Sequence, residues 1–266
     1  MGQAVFTHRI SKGSRYNQIY VPSESENQFE VGDLVEVRLL EKKNVLYYSK
    51  NLENVGKFKE KLIEEVFAFL SNYHEVEQIF FFGSFLIKKI DYNDIDLLVV
   101  VKKDTVEIEK KISADLTERF NLKFHLVTLA KENFVKPLEV SPLARSMLYY
   151  FVSNMNFTIP KETKIEYNHI MLELMMPEDL LTFRFDGGKV YYDSLRKLIC
   201  IEHFVRRKEI APDKIDDELA SLIDKRKIDL LKKDAYVEKK LLSEIRTVIK
   251  NKINTIHKLL HHGKKR

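Results

Sequence analysis

The segment Phe80 to Lys103, FFFGSFLIKKIDYNDIDLLVVVKK, constrains the fold of this chain more than any other stretch. Asp94 and Asp96 interrupt an apolar run and directly precede a Leu/Val-rich stretch that is typical of a buried strand. Alternate residues of a strand point to the same face of a sheet, so both carboxylates leave from one face. Because neighbouring carboxylates repel each other, we expect a cation between them.

A Gly-Ser pair comes before the two aspartates, directly after a predicted strand over residues 79–82. Glycine allows close approach of the backbone, and the short helix predicted after Gly83-Ser84 would offer free N–H groups to a phosphate. Mg²⁺ binds few protein carboxylates and completes its shell with substrate phosphates and water. The segment therefore predicts a site for Mg²⁺ and phosphate.

The elements around this segment follow a recognisable order. Apolar spacing predicts a helix over residues 55–73, a strand over 94–101, a helix from Asp104 to about Phe120 and a strand over 123–128. Together with Phe82-Gly83-Ser84, a spacer of nine residues and Asp94-Ile95-Asp96-Leu97, this order resembles the nucleotidyltransferase superfamily of the DNA polymerase beta type over residues 55–130.

The resemblance implies a mixed sheet with flanking helices and an enzyme that transfers a nucleoside monophosphate from a nucleoside triphosphate. The acceptor would be an RNA end, a protein side chain or a small molecule. Gly83 and Ser84 would hold the triphosphate, with Lys88 adding positive charge, and Asp94 and Asp96 would bind one or two Mg²⁺.

One position departs from the pattern of the superfamily. Its third carboxylate usually lies on the next strand, where this sequence has His125. Neutral imidazole is a poor ligand for Mg²⁺, although it can accept a proton. Three interpretations stay open: His125 is a replacement base, the third acid comes from elsewhere in the chain, or the domain binds nucleotide without efficient transfer.

The first 48 residues show short alternating runs separated by turn residues, which predicts strands over residues 5–10, 17–22 and 34–40. The order, with Gly32-Asp33 before the last run, resembles the AbrB-type swapped-hairpin domain. That resemblance implies a homodimer through this β domain and contact with DNA.

Residues beyond Arg145 are mostly helical in pattern and become strongly basic. From Arg196 to Arg266 there are 20 Lys and Arg residues against 11 Asp and Glu. This imbalance favours RNA or DNA as a partner of the C-terminal helices. The fold class expected is α+β, with a β domain at 1–50, a nucleotidyltransferase domain at 51–150 and a helical domain at 151–266.

Composition excludes several other classes. No apolar run is long enough to span a bilayer, and a single cysteine, Cys200, excludes an internal disulfide. A reducing cytoplasm is the expected location. Two alternatives to a general nucleotidyltransferase remain: a regulatory or DNA-binding protein with a weak nucleotide-binding domain, and an antitoxin-like enzyme that modifies a partner protein.

Overall fold

A computed structural model describes residues 5–21, 28–38, 45–87, 92, 94–103, 106–185, 187–234 and 236–263. The chain divides into two compact units, residues 1–43 and residues 44–266. The predicted three-way division at residues 50 and 150 stays a prediction.

The first unit contains a minimal hairpin. Strand β1 (Ser11–Lys12) pairs antiparallel with β2 (Asn17–Gln18), and Gly13 N–H donates to the Tyr16 carbonyl at 3.0 Å to close the turn. Within the described residues, the runs predicted as strands over 5–10 and 34–38 do not form strands. Two short strands bury too little surface to order such runs, and Leu34 and Val37 stay exposed.

The second unit is built around a five-stranded mixed sheet. Its strands are β3 (Tyr47–Tyr48), β4 (Val76–Phe82), β5 (Ile95–Val101), β6 (Phe124–Ala130) and β7 (Phe151–Ser153). Their order in space is β3-β7-β4-β5-β6, and only β5 and β6 run parallel. The predicted strands of the opening segment are thus central and adjacent.

In the part of the chain that the structure describes, five helices accompany the sheet and five more form a bundle after it. The first set is α1 (Lys57–Leu70), α2 (Ser84–Ile87), α3 (Val106–Phe120), α4 (Lys131–Val140) and α5 (Pro142–Met147). The second is α6 (Tyr167–Thr182), α7 (Lys189–Val205), α8 (Pro212–Leu222), α9 (Lys225–Lys232) and α10 (Lys239–Gly263). Gly188 is the N-cap residue of α7.

The two faces of the sheet have separate apolar cores. Phe81, Leu97 and Val99 point to one face and pack against α1 and α3. Phe80 and Leu98 point to the other face, which α4 covers in part. The buried run of β5 is therefore apolar on both sides, as expected of a central strand between helices. Phe82 also lies on this second face, and Asp96, its register partner on β5, shares that face with it.

The helical bundle has its own core, formed mainly by α6, α7, α8 and α10. The apolar stripe of α10 is buried there, including Ile245, Ile249 and Ile256. This architecture confirms the predicted α+β class, with a small β module, a mixed sheet with flanking helices and a helical C-terminal part. Among the described residues, none of the helices combines the length and the apolar character that crossing a bilayer requires.

Candidate nucleotidyl-transfer site

Three neighbouring strands bring the chemically active residues into one row. Asp96 of β5 is in register with Phe82 of β4 on one side and with His125 of β6 on the other. Paired residues of adjacent strands point to the same face. Asp96 and His125 therefore lie together, and the His125 Nδ1 atom is 3.0 Å from the Asp96 Oδ1 atom.

The turn after β4 fits tightly around this row. Gly83 has a φ of 75°, a conformation that side chains with a Cβ rarely adopt. A Cβ built on Gly83 would lie 2.0 Å from the Asp96 Oδ2 atom and 2.9 Å from its Cγ. Glycine is thus required twice, for the backbone angle and for the space that the carboxylate occupies.

The electrostatics of Asp96 are those of a carboxylate short of positive charge. Burial raises the pKa of Asp96 above its usual value; the hydrogen bond from His125 opposes this shift, and the charge of Asp94 adds to it. The Asp96 side chain is 19% exposed and that of His125 is 61% exposed. His125 therefore faces solvent at the site and does not belong to the core.

The other predicted residues lie around this centre. Asp94 precedes β5, and its Oδ2 atom is 4.0 Å from the Lys123 Nζ atom. Ser84 is the first residue of α2. Lys88 lies outside the described residues. The structure thus brings together Gly83, Ser84, Asp94, Asp96 and His125 at one edge of the sheet.

Lys59 is a buried cation near this site that the sequence prediction missed. Its Nζ atom donates a hydrogen bond to the Phe85 carbonyl, one residue into α2, and lies 5.1 Å from the centre of the Phe85 ring and 5.5 Å from that of Tyr92. Burial lowers the pKa of Lys59. Lys59 lies one helical turn before the buried Ile63 on α1, and this spacing was the signal that could have revealed its burial.

The two carboxylates of this site, Asp94 and Asp96, are of the kind that Mg²⁺ binds. Within the described ranges, no group of three or more His, Cys, Asp or Glu side chains is arranged to hold a metal by itself. Mg²⁺ does not need such a group, because one or two carboxylates plus substrate phosphates and water suffice. Asp94 and Asp96 supply two carboxylates, and the raised pKa of Asp96 is the response expected where a cation would relieve the charge. The residues fit the ion.

A cleft of about 730 Å³ opens near the same edge of the sheet. Phe151, the first residue of β7, is in register with Phe82 of β4. Tyr149 precedes Phe151 by two residues and therefore lies just beyond the end of the sheet that carries Asp96 and His125. The lining of the cleft includes Tyr149 and Arg145 from the sheet side and Arg207 and Lys208 from the turn after α7. Tyr149 donates a hydrogen bond to Glu209 across it. The helical bundle therefore reaches the edge that carries the site.

Comparison with known proteins defines the class of domain at this site. The family described as polymerase beta, nucleotidyltransferase matches residues 64–139. This segment is therefore a nucleotidyltransferase domain of the polymerase beta type, which confirms the resemblance deduced from the Gly-Ser and Asp-Ile-Asp motifs. The match does not extend to the first unit, and the AbrB-type resemblance of residues 1–50 is not confirmed.

The comparison with solved structures concerns the wider fold. The chain is similar to the spectinomycin adenyltransferase AAD(9) from Enterococcus faecialis, crystallised with ATP and spectinomycin, with a TM-score of 0.42 and 14% sequence identity. The similarity covers 75% of this chain and 96% of the other. No curated protein matched the sequence.

Proposed function

We propose that this protein is a Mg²⁺-dependent nucleotidyltransferase that transfers a nucleoside monophosphate from a nucleoside triphosphate to an acceptor. The observation that supports this most strongly is the Asp96 carboxylate, which is seated against Gly83 and bonded to His125. Burial and the charge of Asp94 raise the pKa of Asp96 even though His125 opposes the shift, so this carboxylate has less positive charge nearby than its burial calls for. The arrangement is suited to binding a metal ion with a triphosphate.

Each residue has a defined task in this proposal. Gly83 and Ser84 bind the β- and γ-phosphates through the backbone of the turn, and Lys59 holds that turn by its bond to the Phe85 carbonyl. Asp94 and Asp96 hold the metal. When bound, Mg²⁺ supplies positive charge that stabilises the attacked phosphate and the leaving pyrophosphate. Lys88 remains a proposed phosphate ligand.

His125 is proposed to accept the proton of the attacking hydroxyl. Because the Asp96 carboxylate can only accept, the Nδ1 atom of His125 donates to it across 3.0 Å. In neutral imidazole this leaves the lone pair on Nε2. A carboxylate that fixes the tautomer of a histidine base is a known catalytic arrangement. The acid expected at this position in the superfamily is thus replaced by an Asp96–His125 pair.

The test is a transfer assay with labelled nucleoside triphosphates, Mg²⁺ or Mn²⁺, and total cellular RNA or protein as acceptors. We expect the wild type to label an acceptor and the variant Asp94→Asn with Asp96→Asn to lose at least about a thousandfold in rate, because charge stabilisation at a transferred phosphate is the main catalytic term. Circular dichroism of both proteins verifies folding. Equal labelling by both proteins would refute the proposal.

Two substitutions of His125 test whether this residue accepts the proton of the attacking hydroxyl. His125→Asp places a carboxylate where the superfamily usually has one and should retain transfer, whereas His125→Ala should lose it by about 10²–10⁴-fold. Unchanged activity in His125→Ala would show that the proton acceptor lies elsewhere.

In one alternative, the site binds nucleotide but does not transfer it efficiently. The absence of a third carboxylate at residue 125 favours a protein that binds nucleotide and transfers it slowly. Nucleotide binding that depends on Asp94 and Asp96, without labelling of RNA or protein, would support this regulatory function. Labelling of a single partner protein would instead support an antitoxin-like enzyme.

A further inference from the structure

A basic groove opens where α6 ends and α10 begins. Its volume is about 620 Å³. The lining contains four cationic and two hydroxyl-bearing residues, which are Arg184, Lys239, Arg246, Lys250, Ser243 and Thr247. None of the described residues that line it is acidic. We call this surface the distal groove; its composition suits an anionic ligand.

In the distal groove, no ion pair joins Arg246, Lys239 or Lys250 to a carboxylate of the described residues. Arg246 donates from Nη2 to the Phe183 carbonyl at 2.6 Å, which orients the guanidinium without neutralising it. Lys239 and Lys250 are exposed, and neither forms an ion pair with a described residue. The nearby carboxylate of Asp234 accepts from the Lys189 backbone N–H at 2.9 Å and is thereby engaged at the start of α7.

Exposed aromatic side chains lie beside these cations. Phe183 is 59% exposed, Phe185 43% and Tyr236 67%. Tyr236 is held in place because Arg184 donates from Nη2 to its hydroxyl at 3.2 Å and because Tyr236 bridges to Gly187. A basic groove interleaved with exposed aromatic rings is the pattern by which proteins bind single-stranded nucleic acid, since bases stack on the rings while cations contact phosphates.

Helix α7 joins the distal groove to the catalytic edge of the sheet. It begins at Lys189, next to the Gly187–Tyr236 bridge, and ends at Val205, just before the Glu209 side chain that accepts from Tyr149. Its 17 residues span about 25 Å at 1.5 Å per residue. A ligand that contacts both places must be a polymer, which favours a nucleic acid over a small acceptor.

We propose that the distal groove binds single-stranded RNA, and that this RNA is the acceptor whose end enters the catalytic site. The second part rests on the proposed function. In the reaction, a terminal ribose hydroxyl oxygen bonds to the α-phosphorus, the bond from that phosphorus to the bridging oxygen of the β-phosphate breaks, pyrophosphate leaves and the hydroxyl proton passes to His125. The phosphates upstream of that end would cover the distance of about 25 Å from the catalytic site to Lys239 and Lys250.

Binding is tested directly with the full-length protein and a fluorescein-labelled single-stranded RNA of about 15 nucleotides, followed by fluorescence anisotropy. We compare Lys239→Glu with Lys250→Glu against Lys103→Glu with Lys110→Glu, a pair of exposed lysines at the opposite end of β5 from Asp96. Both double variants change the net charge equally. The groove variant should bind at least about thirtyfold more weakly, and its salt dependence should fall by about 1.4 in log–log slope. The control variant should stay within about twofold of wild type.

The aromatic side chains distinguish RNA from other polyanions. Tyr236→Ala and Phe185→Ala should each weaken RNA binding about fivefold or more, because stacking contributes about that factor per base. Binding of polyglutamate should not change in these variants. If polyglutamate binds as tightly as RNA and the aromatic variants bind RNA normally, the surface is a general polyanion site and the RNA assignment is wrong. Equal RNA binding by both lysine double variants would also overturn it.

A transfer assay tests separately whether RNA is the acceptor. With labelled triphosphate and RNA, wild type should label RNA, and the distal-groove variant should raise the RNA concentration for half-maximal rate about thirtyfold with little change in the maximal rate. Labelling of protein alone, with RNA binding intact, would overturn the acceptor assignment and leave the transfer reaction standing. Absence of all labelling, with groove-dependent RNA binding intact, would refute the proposed function and the acceptor assignment together but leave RNA binding.

Discussion

In two clusters of partly buried carboxylates in this protein, the pKa of a carboxyl group is shifted in opposite directions. In the helical bundle, Lys252 donates to Glu202 at 2.8 Å and to Glu218 at 2.5 Å. Burial acts to raise the pKa of Glu202, but the hydrogen bonds and charges of Lys252 and Arg206 outweigh it, and the pKa lies below its usual value. At the sheet edge, burial prevails and the pKa of Asp96 is raised.

The difference comes from the number of cations that the chain itself supplies. Glu218 has two partners, Lys252 and His203, whose Nε2 atom is 2.7 Å from it. Asp96 has one partner, His125, and a neighbouring Asp94 of like charge. The bundle cluster is neutralised and stabilises the fold, whereas the sheet-edge cluster has less positive charge among the described residues, from His125 and from Lys123 at 4.0 Å from Asp94, and is suited to receive more from a ligand. The predictions below test this contrast.

The largest effect is expected from removing the cation of the bundle. Lys252→Met leaves Glu202 and Glu218 partly buried with too little positive charge, and we expect it to lower the free energy of unfolding by about 3–5 kcal/mol. Urea denaturation measures this change. Lys250→Met, two residues away on the same helix and exposed, is the control and should change stability by less than about 0.5 kcal/mol. Equal effects of the two substitutions would show that the network does not stabilise the bundle.

An intermediate effect is expected at the sheet edge from Gly83→Ala. The new Cβ would force the Asp96 carboxylate out of its place and strain the backbone, so we expect a loss of about 1–3 kcal/mol in stability and about a hundredfold in transfer rate. A double-mutant cycle with Asp96→Ala separates the causes. In that background most of the steric part should disappear, because of the three close atoms only the Asp96 Cβ, 3.2 Å from the new Cβ, stays, and the strain of the positive φ should remain. An unchanged cost would contradict the close contact between Gly83 and Asp96.

The smallest effect, of opposite sign, is expected from Asp96→Asn. Because the pKa of Asp96 is raised in the folded state, ionisation above that pKa favours the unfolded chain. The variant should therefore be more stable than wild type at neutral pH. The gain should vanish as the pH falls below the usual aspartate pKa of about 3.9. Thermal unfolding across this pH range measures it.

The exposed residue Asp217 provides a control for that experiment. Asp217→Asn removes the same charge from an exposed position and should change stability by less than about 0.5 kcal/mol. Mg²⁺ with a nucleoside triphosphate should raise the melting temperature of wild type and not that of Asp96→Asn. A loss of stability at neutral pH in Asp96→Asn would contradict the contrast between the two clusters.

The central part of the fold was predictable because its signals are local. Strands β4 and β5 are apolar on both faces, and the two aspartates break that pattern at a fixed spacing after Gly83-Ser84. The predicted strand over residues 123–128 corresponds to β6, Phe124–Ala130, and places His125 beside Asp96. The positions of Gly83, Asp96 and His125 relative to one another follow from strand register, which the sequence pattern approximates.

Other features depend on distant parts of the chain and were not predictable. The three residues of β7 complete the sheet beside β4, but such a short run has no periodicity to recognise. Lys59 lies in an apolar helix face, and its partner is a carbonyl 26 residues later. The distal groove joins residues from α6 and α10 with Tyr236, which are separated in sequence and meet only in the folded bundle.

The place of β7 in the sheet has a consequence for synthesis of the protein. Phe82 of β4 pairs with Phe151 of β7, so roughly 70 residues must be made after β4 before this edge is covered. At about 5–20 residues per second, the edge stays open for several seconds on the ribosome. An uncovered apolar strand edge is a template for pairing with other chains. The growing polypeptide therefore passes through an interval in which chaperone binding would protect it from aggregation.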